Sequence, residues 1–157
     1  MNSALASRDC RCRWLVALLL ALWVCPAVAA EITIVPTQDL AFGSFVAGTG
    51  SVTMLPGGAR STSGGVIGLS SDGGTAAQFS VSGDPGATFA ITLPANGTVF
   101  LSNGSSNMPV NGFVSSPSSG GTFLSTQVIS VGATLDVAEG QPTGAYSGTF
   151  LVIVDYN

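Results

Sequence analysis

Beyond its first thirty positions, the chain contains no histidine, no cysteine and no lysine, and Arg60 is the only basic residue. The common hydrolytic triads need an imidazole or a thiol, so their chemistry is excluded. Zinc and most transition-metal sites use histidine or cysteine ligands, which are equally missing. Phosphate cradles and nucleic-acid surfaces need basic side chains. We therefore expect a protein without catalytic residues, cofactor or metal that does not bind nucleic acid.

The first thirty residues have the pattern of a secretory signal peptide. Three arginines precede an apolar stretch over 14–24, and small residues follow at 27–30. An apolar stretch of about eleven residues is too short to span a bilayer as a helix, which takes roughly twenty. The sequence thus predicts a signal peptide over 1–30 and an exported domain over 31–157 without a membrane span. All three cysteines precede the predicted cleavage point, so this domain forms no internal disulfide.

The predicted mature domain is acidic but carries few charges. Seven carboxylates stand against one arginine, and all 21 glycines of the chain fall in this part. Such a surface is soluble through hydroxyl and amide groups and repels anionic partners. Recurrent valine, isoleucine and phenylalanine distinguish this glycine- and serine-rich sequence from a disordered one. We therefore interpret its glycines as turns of a many-stranded domain.

The last apolar segment has the clearest strand pattern. One face carries the residues Phe150, Val152, Val154 and Tyr156. The other face carries Leu151 and Ile153. A strand that is apolar on both faces is expected in the middle of a sheet or under another layer.

Short strands and turns extend along the whole predicted domain. Asn96-Gly97 and Asn103-Gly104 both have the composition of tight hairpin turns. No stretch of helical length has the apolar spacing of an amphipathic helix, and no repeat of fixed length is present. Strands separated by turns about every eight to twelve residues predict a single all-β, antiparallel β-sandwich.

Six stretches of the domain together have the pattern of a known family, and they lie at 38–43, 76–86, 88–94, 131–135, 144–150 and 152–157. In these stretches the domain resembles a bacterial secreted family known only as domain of unknown function 4402. The stretches cover nearly the whole predicted domain, and the resemblance implies export from a bacterial cell to the periplasm, the cell surface or the medium.

Two short motifs lie near the ends of the domain: Leu40-Ala41-Phe42-Gly43, and Gly144-Ala145-Tyr146 before the last strand. In these motifs the domain is also similar to chaperone–usher pilins and spore-coat-U-like subunits. The resemblance implies an immunoglobulin-like, pilin-like sandwich that lacks its last strand and receives one from a neighbour by β-strand addition. It also implies self-association or related subunits as partners, with a periplasmic chaperone and an outer-membrane usher. The sequence stops directly after the last apolar strand, as an incomplete sandwich would.

On this hypothesis the last strand lines a groove for the donor strand. The predicted groove residues are Phe150, Val152, Val154 and Tyr156. Ile32 and Ile34 alternate with Thr33 as a donor strand does, although Pro36 limits its pairing. Two alternatives stay open. The sandwich is complete and the groove residues are ordinary core, or the segment 31–37 is the domain's own first strand.

Four carboxylates have ligand-binding or catalytic interpretations that are weaker than structural ones. Asp72 and Asp84 each precede a glycine-containing turn with one carboxylate, whereas a calcium loop needs several oxygen ligands. Asp136 lies on the polar face of a strand and Glu139 in the turn after it, which favours a solvated edge over a glycosidase pair.

Two further residues are singled out by their positions. Tyr146 lies between Gly144 and Gly148 before the last strand, which is typical of a tyrosine corner whose hydroxyl bonds to nearby backbone. Arg60 lies in a glycine-rich loop. The sequence leaves open whether it pairs with a carboxylate or faces solvent.

Two functional hypotheses from different classes follow. The first is an exported, non-enzymatic structural subunit of a bacterial surface fibre or coat, assembled by strand donation. The second is a self-complete extracellular module that binds glycans or surface proteins through its hydroxyl and amide side chains. An open groove exposes a strand edge and apolar surface, whereas a complete module does not, so the two differ in self-association.

Overall fold

A computed structural model describes residues 30–157, which form twelve β-strands and no helix. The strands are β1 (Thr33–Gln38), β2 (Phe45–Val46), β3 (Gly50–Met54), β4 (Arg60–Gly64), β5 (Ile67–Gly68), β6 (Ala77–Ser82), β7 (Thr88–Thr92), β8 (Val99–Ser102), β9 (Asn107–Ser116), β10 (Gly120–Thr122), β11 (Gln127–Val137) and β12 (Ile153–Tyr156). The predicted signal peptide lies outside the described residues except for its last position.

The larger layer is a seven-stranded antiparallel sheet built around β11. One edge of β11 pairs first with β6 over 127–131 and then with β3 over 133–137, while its other edge pairs with β9. β1, β4 and β8 extend the sheet from β6, β3 and β9 respectively. The alternation of β11 explains this central position, because every second residue is a buried apolar one: Ile129, Val131, Ala133, Leu135 and Val137.

The other half of the alternation lies on the outer face of this sheet, where β11 carries the polar residues Ser130, Thr134 and Asp136 beside the exposed Val128. Thr53 and Thr134 share a hydrogen bond of 2.9 Å between their hydroxyl oxygens across β3 and β11. The Asn111 amide donates to the carboxylate of Asp136 at 2.7 Å. Asp136 therefore takes part in a cross-strand polar network, and Glu139 is exposed in the turn beyond β11.

The second layer has a regular half and an irregular half. The regular half is the three-stranded sheet β10-β7-β12, which covers a core that includes the stacked rings of Phe89 and Phe123. The irregular half consists of the segments 39–47 and 141–150 with the short β2–β5 ribbon. The predicted all-β antiparallel sandwich is confirmed, and its two halves differ in how completely the second layer closes.

Only one of the two predicted hairpins exists. Asn103-Gly104 joins β8 to β9, which pair in register, so that prediction is confirmed. The prediction for Asn96-Gly97 is wrong, because β7 and β8 belong to different sheets and the connection crosses between the layers. The turn is held against β9 instead: the Asn96 side-chain oxygen accepts from the Gly112 amide, and the Asn111 side-chain oxygen accepts from the Gly97 amide, both at 2.8 Å.

Candidate functional site

An apolar cleft lies between the two layers in the irregular half. Its volume is about 960 Å³, and its walls are the segments 39–47 and 141–150. Its floor consists of inward-facing side chains of β8, β9 and β11: Val99, Leu101, Met108, Val110 and Leu135. Phe42 and Phe150 contribute from the walls. Sites for small molecules typically measure about 300–1,000 Å³, so this cleft is large and, apart from Asp39 and Asp72, lined by uncharged residues.

One wall of the cleft has an unpaired backbone. Ser147 exchanges two hydrogen bonds with Ser102 of β8, at 2.8 and 3.0 Å. Regular pairing with β7 resumes at Ile153. Between these points, residues 148–152 make no backbone–backbone hydrogen bond within the described part of the chain. The predicted last strand is therefore a ladder over only four residues, preceded by an extended segment without a partner.

The direction of the unpaired groups follows from strand geometry. The Asn157 amide donates to Thr88 next to β7 at 3.0 Å, and Ser147 faces β8. Alternate residues of an extended strand direct their backbone groups to opposite edges. The groups of Phe150 and Val152 therefore point away from β7, and no residue of β7 lines the cleft. Gly148, Thr149 and Phe150 of this unpaired segment line the cleft, so the free edge adjoins it.

Arg60 holds the opposite wall. Its guanidinium donates to the carbonyl oxygens of Phe42 and Ser44, both at 3.2 Å. It also donates to the carbonyl oxygens of Asp72 at 2.7 Å and Leu69 at 2.6 Å. The prediction that Arg60 lies in a loop is wrong, because Arg60 is the first residue of β4. It lies opposite the buried Met54 of β3, so its side chain starts on the core face of the sheet. The single cation of residues 30–157 thus ties two irregular segments together through backbone oxygens.

The two aspartates considered as ligand candidates lie in turns. The Asp72 carboxylate accepts from the Ser44 hydroxyl at 3.1 Å and from the Gly74 amide at 3.3 Å. The Asp84 carbonyl oxygen accepts from the Ala87 amide at 3.1 Å. Residues 30–157 contain no group of three or more acidic, histidine or cysteine side chains arranged to hold a metal ion.

Tyr146 braces the wall formed by 141–150. Its hydroxyl donates to the Pro142 carbonyl oxygen at 2.9 Å and accepts from the Gln141 side-chain amide, also at 2.9 Å. A bond from the hydroxyl to backbone a few residues upstream is the contact that a tyrosine corner makes. The ring packs on the apolar core below the cleft.

Removal of the Tyr146 hydroxyl tests this brace. We expect Tyr146→Phe to lower the free energy of unfolding by about 1–2 kcal/mol, because the hydrogen bonds to the Pro142 carbonyl oxygen and from the Gln141 side-chain amide are both lost. The loss stays small because Pro142 is exposed and its oxygen can bond to water instead. Urea unfolding followed by circular dichroism measures the change. A variant as stable as the parent protein would show that the hydroxyl does not hold this segment.

The four predicted groove residues divide between two environments. Only Phe150 lines the cleft. Val152 and Val154 are buried in the closed half of the core, beneath the three-stranded sheet. The hydroxyl of Tyr156 accepts from the Asp84 amide at 2.8 Å and donates to the Ala30 carbonyl oxygen at 2.6 Å. The alternation in the sequence predicted that these four side chains share one face of the strand. It did not predict that this face borders the cleft at Phe150 and the closed core at Val152 and Val154.

The candidate donor segment lies in the domain's own sheet. β1 pairs with β6, with Ile34 opposite Val81, and both Ile32 and Ile34 are half-buried against the core. This is the alternative that the sequence left open. Most of the cleft floor, by contrast, lay outside the predicted site. The sequences of β8, β9 and β11 do show alternating apolar residues. This alternation indicates that one face of each strand is buried, but it cannot indicate that the second layer leaves part of that face uncovered.

The fold and this site define a class: an antiparallel, two-layer β-sandwich protein with an apolar cleft beside its last strand. The chain belongs to the family described as Domain of unknown function (DUF4402), whose model matches residues 32–156. The predicted family resemblance is thereby confirmed. Comparisons with curated proteins and with solved structures gave no match. The more distant similarity to pilus subunits stays a prediction. No helix within residues 30–157 is long and apolar enough to cross a bilayer.

Proposed function

We propose that this protein is an exported, non-enzymatic structural subunit of a bacterial surface fibre or coat, in which a neighbouring subunit inserts a β-strand into the cleft. The observation that carries the proposal is the unpaired edge of residues 148–152 beside an apolar cleft. On this proposal the sandwich is immunoglobulin-like and pilin-like, and the inserted strand supplies the part of the second layer that the chain leaves open.

Two physical terms favour a strand as the occupant. A strand that lies along 148–152 would hydrogen-bond to the free groups of Phe150 and Val152, and its alternate side chains would cover the cleft floor. An exposed strand edge next to apolar surface is a liability that proteins normally cover or blunt. A small apolar ligand would bury the cleft floor but leave the backbone edge of 148–152 without hydrogen-bond partners. A strand would supply both.

The donor that we propose is the segment of a neighbouring copy that contains Ile32 and Ile34. In its own chain this segment is the edge strand β1, bonded on one side only, with Val35 half exposed at 50%. Its release from β6 exposes less apolar surface than the loss of a central strand would. A subunit with an open cleft also needs protection from aggregation before assembly, for which a periplasmic chaperone and an outer-membrane usher are the proposed partners.

The chemistry of the domain supports a role without catalysis. The described residues carry carboxylates and hydroxyls but no histidine, cysteine or lysine. The cleft floor is aliphatic or thioether in character and offers no polar side chain to a reacting group.

The test is size-exclusion chromatography with light scattering on the exported chain, purified from the periplasm of an expressing bacterium. We expect oligomers or ladders that convert to a stable one-to-one complex when a peptide copying residues 31–38 is added. The matched control is the same peptide with Ile32→Asp and Ile34→Asp, which should have no effect because a charged side chain is not accommodated in the apolar cleft. A folded monomer indifferent to both peptides would contradict the proposal and favour the self-complete module that binds glycans or surface proteins.

The position of the bound peptide needs its own measurement, because the peptide could also replace β1. A photo-reactive residue in place of Val35 of the peptide would label the protein, and mass spectrometry would locate the adduct. Labels on Ser44, Ala145 or Thr149 place the strand in the cleft, since all three line it. Labels on Ser80, the partner of Val35 in the native sheet, would mean exchange at β6 and would exclude the cleft as the acceptor.

A further inference from the structure

The last strand is apolar on both faces, but the described chain covers only one of them. Val152 and Val154 are buried on the inner face, whereas Leu151 is 69% exposed and Ile153 is 41% exposed on the outer face. The expectation that this strand is central or covered on both sides is therefore wrong for the isolated chain, in which β12 is the edge of its sheet. Strands with apolar residues on both faces are typically buried on both.

The exposed face is continuous with a second hollow beside the cleft. This hollow has a volume of about 520 Å³ and lies between the end of β7 and the last strand, with Leu93 and Pro94 on one side and Leu151 and Ile153 on the other. It also shares lining residues with the cleft: Val99, Thr149 and Phe150. The segment 149–151 is thus flanked by unfilled apolar space on both sides.

We propose that this outer face, formed by Thr92, Pro94, Leu151 and Ile153, is a second contact for another copy of the chain, made by the body of the subunit whose strand enters the cleft. The inference rests on the proposed function, because the strand brings the neighbouring body to this end of the sandwich. This contact would cover the outer apolar face of the last strand, which the single chain leaves exposed.

Charge limits the surfaces through which two copies of the chain can meet. Residues 30–157 carry seven carboxylates and one arginine, so two copies repel each other over most of their surfaces. None of the residues that line the hollow is charged. An acidic chain therefore approaches its own copy at a lower electrostatic cost through this uncharged hollow than through its carboxylate-bearing surfaces. The uncharged area ends at Asp155, which follows Ile153 on the same face of β12.

Size indicates that the face acts together with the inserted strand. A stable interface buries on the order of 1,000 Å² or more, which four side chains do not reach. We therefore expect the loss of this face to weaken association between subunits rather than to abolish it, and to leave the folding of each subunit unchanged.

The test uses a double variant that combines Leu151→Thr and Ile153→Thr. Its matched control is a second double variant, which combines Leu124→Thr and Val128→Thr. The control residues are 80% and 56% exposed and lie away from the hollow. Threonine keeps the preference for strand while removing apolar contact. Light scattering over a dilution series of the full exported chain should show association weakened at least about tenfold for the first variant and unchanged for the control.

Two further readouts separate this inference from the proposed function. Urea unfolding should give both variants the midpoint of the parent protein. Both should still bind the peptide copying residues 31–38, because none of the four substituted side chains lines the cleft and the backbone groups of Phe150 and Val152 are unchanged. Association of the Leu151 and Ile153 variant at parent strength would overturn the second contact while strand insertion stands. A parent chain that binds the peptide yet never associates would overturn the second copy as the occupant. A parent chain that neither associates nor binds the peptide would overturn both.

Discussion

Gly132→Ala is expected to lower the free energy of unfolding by about 3 kcal/mol or more, or to prevent folding altogether. Gly132 lies at the point where β11 changes its partner from β6 to β3. A Cβ atom there would collide with the carbonyl oxygen of Met54 and with the backbone of Leu55 and Pro56. Because these are backbone atoms rather than the ends of flexible side chains, the strands must separate to make room.

The measurement is urea unfolding followed by far-ultraviolet circular dichroism, since the predicted mature domain contains no tryptophan. Gly57→Ala is the matched control, because no atom lies within 4 Å of the added methyl group. It should change the free energy of unfolding by less than about 0.5 kcal/mol. Equal stabilities of the two variants would show that the close approach at Gly132 yields without cost and that the double pairing of β11 is not constrained there.

Arg60→Met is expected to destabilise the protein by about 3 kcal/mol and to disorganise one wall of the cleft. Four backbone oxygens lose a charged donor, and the half-buried side chain shields them only partly from water. Arg60→Lys should recover only part of the loss, because one ammonium group on a flexible stem cannot reproduce the planar, five-donor geometry of a guanidinium.

Hydrogen exchange distinguishes this local role from a general loss of stability. Amides of 42–47 and 67–74 should exchange faster in Arg60→Lys than in the parent protein, while amides of β11 change only as far as global stability does. Binding of the peptide copying residues 31–38 should weaken in parallel, because Phe42 and Ser44 belong to the wall that Arg60 holds. Uniform acceleration along the chain would show that Arg60 contributes to stability without shaping the cleft.

The two variants probe the two halves of one arrangement. Gly132 allows the long strand β11 to carry the sheet from its closed half, under β7, to its open half, under the cleft. Arg60 then substitutes side-chain hydrogen bonds for the strand pairing that the second layer lacks near Phe42. Stability and the open cleft are therefore linked through particular residues, which is why their substitutions should affect both unfolding and strand binding.

Local sequence patterns predicted the strands and turns more reliably than they predicted which strands pair with each other. The alternation over 129–137 identified the inner face of β11. Asn103-Gly104 identified the hairpin between β8 and β9. Asn96-Gly97 has the same composition, yet its flanking strands belong to different sheets, because the side chains of Asn96 and Asn111 hold the turn against β9. The favoured turn geometry depends on two residues, whereas the choice of sheet depends on contacts from other strands.

At the candidate site, too, the sequence indicated individual residues but not the segments that they contact. Tyr146 was singled out by two flanking glycines, and its hydroxyl bonds to backbone at Pro142. Arg60 was conspicuous as the only basic residue of the domain, but its four acceptors come from 42–44 and 69–72, which no spacing in the sequence brings together. The strand-donation groove was predicted along the whole last strand, and of its four residues only Phe150 lines the cleft.

The sequence by itself determined which chemistries this protein lacks and its all-β class, because these depend on which residues are present and on an alternation of period two. The family was indicated separately, by the resemblance of particular stretches to known members. Only the tertiary structure decided that Val152 and Val154 lie under β7 while residues 148–152 keep a free edge, and that an apolar cleft opens beside them. The physical reason is that alternation specifies which face of a strand is buried, whereas its edge partners are chosen among segments distant in sequence.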